Sequence, residues 1–456
     1  MKLYNTLSRN KEEFSAPDGT VKMYVCGVTP YAPSHVGHAM MSVIFDVVRR
    51  YLEFQEFKVK HVQNFTDIDD KMIQAATERG TTTTELAEEN IQRYLDEMDA
   101  LNVLRAHEYP RATEDMPKIL EMIEVLVEKE FAYQLDGDVY FRVKSDPGYG
   151  KLSRRTQDSL MAGARVEVNE SKEYVMDFAL WKSQKPGEPA WESPWGPGRP
   201  GWHIECSAMS VSHLGETFDI HGGGQDLVFP HHENEMAQTE AYTDGTQSAR
   251  FWLHNGLLNI DHDKMSKSVG NTVSVKEALE SYSSDVLRLF FLSSHYRSPL
   301  VYSDENVAAQ ERAAERLRNA LEPQDKPANG APLDPQPYRE RFVEAMDDDL
   351  NTPRALATLF DAARHINRGR EDGRDVAQAQ NELRKLAGVL GLTMHEPKLA
   401  GGADIAPFVQ LLVDTRLELR AAKQYELADS IRSQLAELGV TLEDTAGGSE
   451  WRQGRT

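Results

Sequence analysis

The chain predicts an α/β protein: a parallel sheet split by an inserted segment, followed by a helical bundle and a small mixed α/β C-terminal domain. Three patterns support this. Residues 21–65 read as strand, helix, strand; residues 202–242 repeat an α/β pattern; and from about Ala308 the apolar spacing becomes helical. With 456 residues the chain exceeds one compact core, so two to four domains are expected.

The first unit opens with the run Val21-Lys22-Met23-Tyr24-Val25, which suits a buried strand. Val43, Val47, Val48, Tyr51 and Leu52 recur near helical spacing and predict a helix over 39–55. Residues 57–65 return to strand-like alternation. Two strands joined by a helix of this length imply a parallel pair with a right-handed crossover. The dinucleotide fingerprint G-x-G-x-x-G is missing from the first turn, so a nucleotide would be held in another way.

In the second stretch a helix around Cys206 leads to the strand Thr217–His221, then three glycines, then a helix starting near Pro230. Residues 113–199 lie between the halves and end in a loop rich in Pro, Gly and Trp, which marks an insertion. Residues 322–338 are Pro-rich and read as a loop between helices. Thr352-Pro353 reads as an N-cap followed by a first-turn proline. Paired glycines near Gly401 mark a break before a helical hairpin.

Composition narrows the classes. No apolar run reaches the ~18 residues of a membrane span, and the first residues lack the apolar core of a secretory signal. Two cysteines in a chain this long argue for a reducing, cytoplasmic setting. The formal charge of −22 points away from generic nucleic-acid binding, although a local basic face can still hold RNA.

Two constellations carry chemistry. His231 and Glu235 are four residues apart and share one face of a helix; with thiolates from Cys26 and Cys206 they make a plausible zinc set. The alternatives are two buried apolar thiols, a surface His/Glu pair, or a Cys26–Cys206 disulfide. In His35-Val36-Gly37-His38, two histidines flank a glycine between a strand and a helix. Such a helix start favours phosphate, and imidazoles can donate to charge developing on it. Lys264-Met265-Ser266-Lys267-Ser268 places two lysines in a polar stretch, suited to a leaving pyrophosphate.

These two motifs on a split sheet resemble the class I aminoacyl-tRNA synthetases, and nearly end to end the chain resembles the cysteinyl-tRNA synthetases. The likeness lies in Cys26-Gly27, His35–His38, Thr66–Lys71, Arg199–Met209, Phe218–Gly224, Phe229–Glu235, the lysine loop, Met346–Pro353 and the tail from Leu442. It implies a Rossmann-type catalytic domain in two halves (1–112 and 200–243), an acceptor-end insertion (113–199), a stem-contact region (244–308), a helical bundle (309–398) and an anticodon-binding domain (399–456). It implies a monomer that ligates L-cysteine to tRNA(Cys) through cysteinyl-adenylate, using ATP with Mg2+ and one Zn2+ per chain.

By the same resemblance His35, Gly37 and His38 hold the ATP phosphates, and Lys264 and Lys267 stabilise the transition state. Cys26, Cys206, His231 and Glu235 hold the metal, and Gly27, Thr66, Trp202, His221 and Asp226 border the amino acid. A catalytic zinc ordinarily has three protein ligands and an open place, so four candidates leave either a weakly held Glu235 or a five-coordinate ion. The zinc serves to reject serine, because pocket size alone discriminates poorly. The sequence departs from the family at Pro30, Ala32 and Met40, near the phosphate motif. Two rivals remain: a related ligase joining cysteine to an amino sugar, which lacks the anticodon domain, and a zinc- and tRNA-binding module without catalysis.

Overall fold

The computed structural model describes residues 1–155, 171–260, 263–264, 272–324, 328, 330–395, 406–438, 440–445 and 448–453. It divides into two compact units, 1–396 and 397–456. The larger unit opens with the antiparallel pair β1 (Lys2–Asn5) and β2 (Asn10–Glu13), then β3 (Thr20–Val28), α1 (Val36–Phe54) and β4 (Lys58–Phe65). Helices α2 (Asp70–Arg79) and α3 (Thr83–Ala100) follow. The inserted segment brings α4 (Met116–Glu128) and strands β5 (Ala132–Leu135), β6 (Asp138–Phe141), β7 (Phe178–Ser183) and β8 (Gly198–Pro200). The chain returns through α5 (Trp202–Leu214), β9 (Phe218–Gly224), α6 (Glu233–Tyr242) and β10 (Ala249–Asn255).

The central sheet has the order β10-β9-β3-β4, with every neighbouring pair parallel. The split sheet expected from the sequence is therefore present. The four inserted strands form their own antiparallel sheet in chain order. β3 pairs β4 on one side and β9 on the other, and the β3–β9 pairing stops at Val25↔Gly222. Past that point the two carboxyl ends part, which is where parallel α/β sheets form a binding crevice.

A small sheet of β11 (Leu258–Ile260), β12 (Asp263–Lys264) and β13 (Leu300–Tyr302) brackets α7 (Val275–Ser281) and α8 (Ser284–Leu292). Helices α9 (Asp304–Ala320), α10 (Gln336–Asp347), α11 (Thr352–Glu371) and α12 (Ala377–Val389) complete this unit. The cap of α11 lies one residue earlier than the sequence suggested: Asn351 accepts from Arg354 N at 3.2 Å, and Thr352 is the first helical residue. The smaller unit is a helical pair, α13 (Ala406–Ala421) and α14 (Tyr425–Glu437), with a hairpin of β14 (Val440–Thr445) and β15 (Gly448–Gln453) around Val409, Val413, Leu435, Val440 and Leu442. Among the described residues no helix is long and apolar enough to cross a membrane.

Helix α1 runs from the crevice into the core. Asp46, buried at its middle, accepts from Arg288 of α8, itself 0% exposed, and from Arg50 at 2.8 Å. Arg288 also donates to the carbonyls of Leu101, Asn102 and Leu390. One buried guanidinium thus joins α1, α8 and the ends of α3 and α12. Truncating one partner of such a pair strands the other charge, which costs about 3–5 kcal/mol. Asp46→Ala is expected to lose stability on that scale in urea denaturation; a change below about 1 kcal/mol would show that the pair is not what holds these helices together.

Candidate active site

Cys26 lies at the end of β3, where the strand passes into the crevice, and is 2% exposed. Gly27 follows it under a steric demand: a Cβ there would meet Asn64 O at 1.6 Å, and its amide donates to Asn64 Oδ1 at 2.9 Å. Cys206 sits in α5 and is 1% exposed. Phe229 is extended (φ −142°, ψ 132°), and from Pro230 the backbone is helical, a wide turn through His232 that runs on into α6 at Glu233, so the helix begins where the sequence placed it. His231 belongs to that turn and Glu235 to the first turn of α6, yet they pair as the spacing suggested, Nε2 to Oε1 at 2.9 Å.

The four candidate ligands converge. Cys26, Cys206, His231 and Glu235 each offer a ligand atom, all within 4.8 Å of one another and all buried. The sulfurs are 3.9 Å apart and both cysteines are free, so there is no disulfide. Cys26 Sγ lies 3.4 Å from Glu235 Oε1. Glu235 Oε2 lies 3.2 Å from His221 Nε2. Two sulfurs, an imidazole and a carboxylate oxygen with an unused lone pair suit a borderline-soft divalent ion.

The electrostatics agree. Burial lifts the Cys26 thiol well above its ordinary range, and its hydrogen bond to Cys206 and the nearby anions add to this. That same bond pulls Cys206 down to about 6, against burial and with help from His231. Burial opposes a charge on His231, but Glu235 and the Cys206 sulfur raise it to about 10. Glu235 is held well below the carboxylate range, burial notwithstanding, by His231 and His221. These shifts favour an ion pair between His231 and Glu235 and one proton shared between the two sulfurs.

A histidine cluster surrounds the group, and most of it escaped the sequence reading. His232 Nε2 lies 3.2 Å from Cys26 Sγ, its Nδ1 is 2.7 Å from His254 Nε2, and His254 Nδ1 is 2.8 Å from Thr6 Oγ1. His203 Nδ1 meets His231 Nδ1 at 2.8 Å. Burial, with His221 adding to it, lowers His254 to about 3, and burial also lowers His203 and His232 well below 6.5. His221 stacks on Trp252 with centroids 4.4 Å apart, and with Cys26, His232 and Glu235 it forms a second possible ligand group. The available signal was a histidine interrupting the buried strand Phe251-Trp252-Leu253-His254.

The other predicted residues lie around the crevice. Trp202, 40% exposed, stacks on His231 with centroids 4.2 Å apart. Thr66 is buried just past β4, and its amide donates to Val28 O at 3.2 Å. Asp226 is exposed in the turn after β9. His35 caps α1: its Nδ1 accepts from Gly37 N at 3.2 Å, while His38 Nδ1 accepts from His35 N at 3.3 Å, and the two rings stack at 3.7 Å. Lys264 is described only as backbone, in β12 opposite Asn259, and Lys267 lies outside the described residues. Of the departures, Met40 is 3% exposed within α1 and Pro30 accepts from Asn90 Nδ2 at 3.0 Å.

Comparison with known proteins agrees with this geometry. Residues 13–312 match the family described as tRNA synthetases class I (C) catalytic domain, and residues 341–395 match the DALR domain. The Cysteine--tRNA ligase of Dehalococcoides mccartyi is 55% identical over 99% of this chain and 99% of its own length. That of Carboxydothermus hydrogenoformans is 48% identical over 99% and 100%. The fold is shared with Mycobacterium tuberculosis methionyl-tRNA synthetase in complex with methionyl-adenylate, at TM-score 0.60 and 17% identity over 81% of this chain and 88% of that one. With its split parallel sheet, its crevice lined by sulfur and imidazole, and relatives matched along their full length, the chain belongs to the cysteine--tRNA ligase family of class I aminoacyl-tRNA synthetases.

Proposed function

We propose that this enzyme, which charges tRNA with cysteine, does so through cysteinyl-adenylate and distinguishes cysteine from serine at a zinc ion held by Cys26, Cys206, His231 and Glu235. The observation that carries the reading is the convergence of those four buried donors at the switch point of the sheet. Zinc bound there supplies a soft Lewis acid that takes a thiol sulfur in preference to a hydroxyl oxygen. His221 and His232 back Cys26 from its other side, as outer partners that orient a ligating sulfur.

The remaining roles belong to the chain's own side chains. Trp202 and Thr66 border the bound cysteine, and Asp226 offers an anion to its ammonium group. His35 and His38, at the start of α1, face the α-phosphate of ATP with its Mg2+, where the cysteine carboxylate attacks and pyrophosphate departs. Lys264 and Lys267 neutralise the charge that develops on the leaving phosphates. A terminal ribose hydroxyl of tRNA(Cys) then takes the aminoacyl group and AMP leaves. Residues 1–112 with 200–243 form the catalytic domain, 113–199 receive the acceptor end, 244–308 the stem and 399–456 the anticodon. The DALR match over 341–395 supports a tRNA-contacting helical region within 309–398. The protein works as a cytoplasmic monomer.

ATP–pyrophosphate exchange tests the reading. It is expected with cysteine, at least 10⁴-fold weaker with serine, and lost on stripping the metal with a chelator. Undiminished exchange in metal-free protein would overturn the zinc assignment, and exchange with no amino acid would return the chain to a binding module. The pKa shifts add a second outcome. His231 and Cys26 are both raised, so both carry protons near neutral pH, whereas Cys206 has largely lost its proton above about 6. Metal uptake must displace the two retained protons, so affinity rises with pH through neutrality and on through the titration of His231 near 10, with the raised Cys26 thiol contributing as well. Calorimetry in buffers of different ionisation enthalpy should find ~2 protons released per ion at pH 8; a pH-independent affinity would contradict it.

A further inference from the structure

Helix α6 starts without a capping side chain, because His232 before it makes no such bond. Its first residue, Glu233, is 1% exposed, and its carboxylate is used outside the helix. Oε1 accepts from the amides of Gly150 at 3.0 Å and Leu152 at 3.3 Å, and Oε2 accepts from Ser153 N at 2.7 Å. Two side-chain contacts run alongside: Tyr149 donates to Asn234 Oδ1 at 2.6 Å, and Lys151 pairs with Glu240. The turn 149–153, part of the inserted segment, therefore lies along α6. Its shape demands glycine at 150, where φ is +98° and a Cβ would meet Arg155 O at 2.2 Å.

A helix turns about 100° per residue. Glu233 and Glu240 consequently share one side of α6, and Glu235 projects from nearly the opposite side, toward Cys26. We infer that Glu233 is a positioning residue: by fastening the inserted turn to one side of α6 it fixes the rotation of that helix, and with it the placement of His231 and Glu235 against the two cysteines. This rests on the metal-centre reading above. The cysteines lie on separate elements, β3 and α5, and cannot follow α6 if it turns. A carboxylate that accepts three amide hydrogens cannot be replaced by an amide without setting donor against donor, so Glu233→Gln must release part of the turn or rotate the helix.

The test is zinc affinity of the full chain, by chelator competition, with the Co2+ spectrum as a geometric readout. Glu233→Gln is expected to bind zinc about 10–100-fold more weakly than wild type, the cost typical of losing an outer partner at a metal site. The sulfur-to-cobalt absorption is expected to shift. Tyr149→Phe removes one hydrogen bond from the same turn and should weaken zinc in the same direction by several-fold. Wild-type zinc affinity in Glu233→Gln, with only its melting temperature lowered, would overturn the inference and leave Glu233 a structural residue. If Glu233→Gln fails to fold, wild-type affinity in Tyr149→Phe overturns it equally. A wild-type chain that binds no zinc would instead refute the metal-centre reading itself.

Discussion

A negative charge on Glu235, 2% exposed, is the constraint on which the active site depends. Burying a carboxylate costs several kcal/mol unless opposite charge and hydrogen bonds accompany it. Here His231 lies 2.9 Å away and His221 3.2 Å away, and the two hold Glu235 ionised. His231 is itself steadied by His203 behind it and by the face of Trp202 in front. Pairing one charge draws in α5, β9 and the turn before α6. The thiols complete the group from β3 and α5, so four segments meet around a carboxylate that none of them could bury alone.

The start of α1 is tied into the fold by different means. His35 Nδ1 accepts from the amide of Gly37, and His38 Nδ1 accepts from that of His35, so this end of the helix is shaped by its own side chains. Farther along, Asp46 and Arg288 fix the same helix to α8 and to the ends of α3 and α12. Met40, one of the departures from the family pattern, is buried among apolar side chains. A charged group would be costly there without a partner, so the departure is consistent with a purely packed face of α1.

Much of this was legible in the sequence, for reasons that can be named. The parallel sheet showed itself because buried strands are continuous apolar runs, and Val21–Val25 is one. His231 and Glu235 stood out because their spacing survives the irregular turn between them. One cap was read less well. Thr352-Pro353 read as a cap and first helical residue, but Asn351 supplies the cap and Thr352 is already helical. Of the histidine cluster, His221 was legible through the family resemblance, whereas His203, His232 and His254 carried no signal of their own, since their neighbours give no periodic pattern. What unites them is the packing of β9, β10 and the helix starts beside Cys26, which only the folded chain reveals.

The metal group has a consequence for folding as well as for chemistry. Cys26 and Cys206 are separated by 180 positions, and the whole inserted segment lies between them. In the unfolded chain the four donors are dispersed and the low-dielectric pocket that sets their ionisation does not exist, so an ion that needs all four binds the native state far better than the denatured one. Such binding stabilises by RT ln(1 + [L]/Kd), about 2.7 kcal/mol at a hundredfold excess over Kd. The stabilisation acts on the insertion too, because its 149–153 turn is bonded to the helix that presents Glu235. The helix that presents Glu235 and the segment that separates the two halves of the sheet are thus secured by one set of contacts.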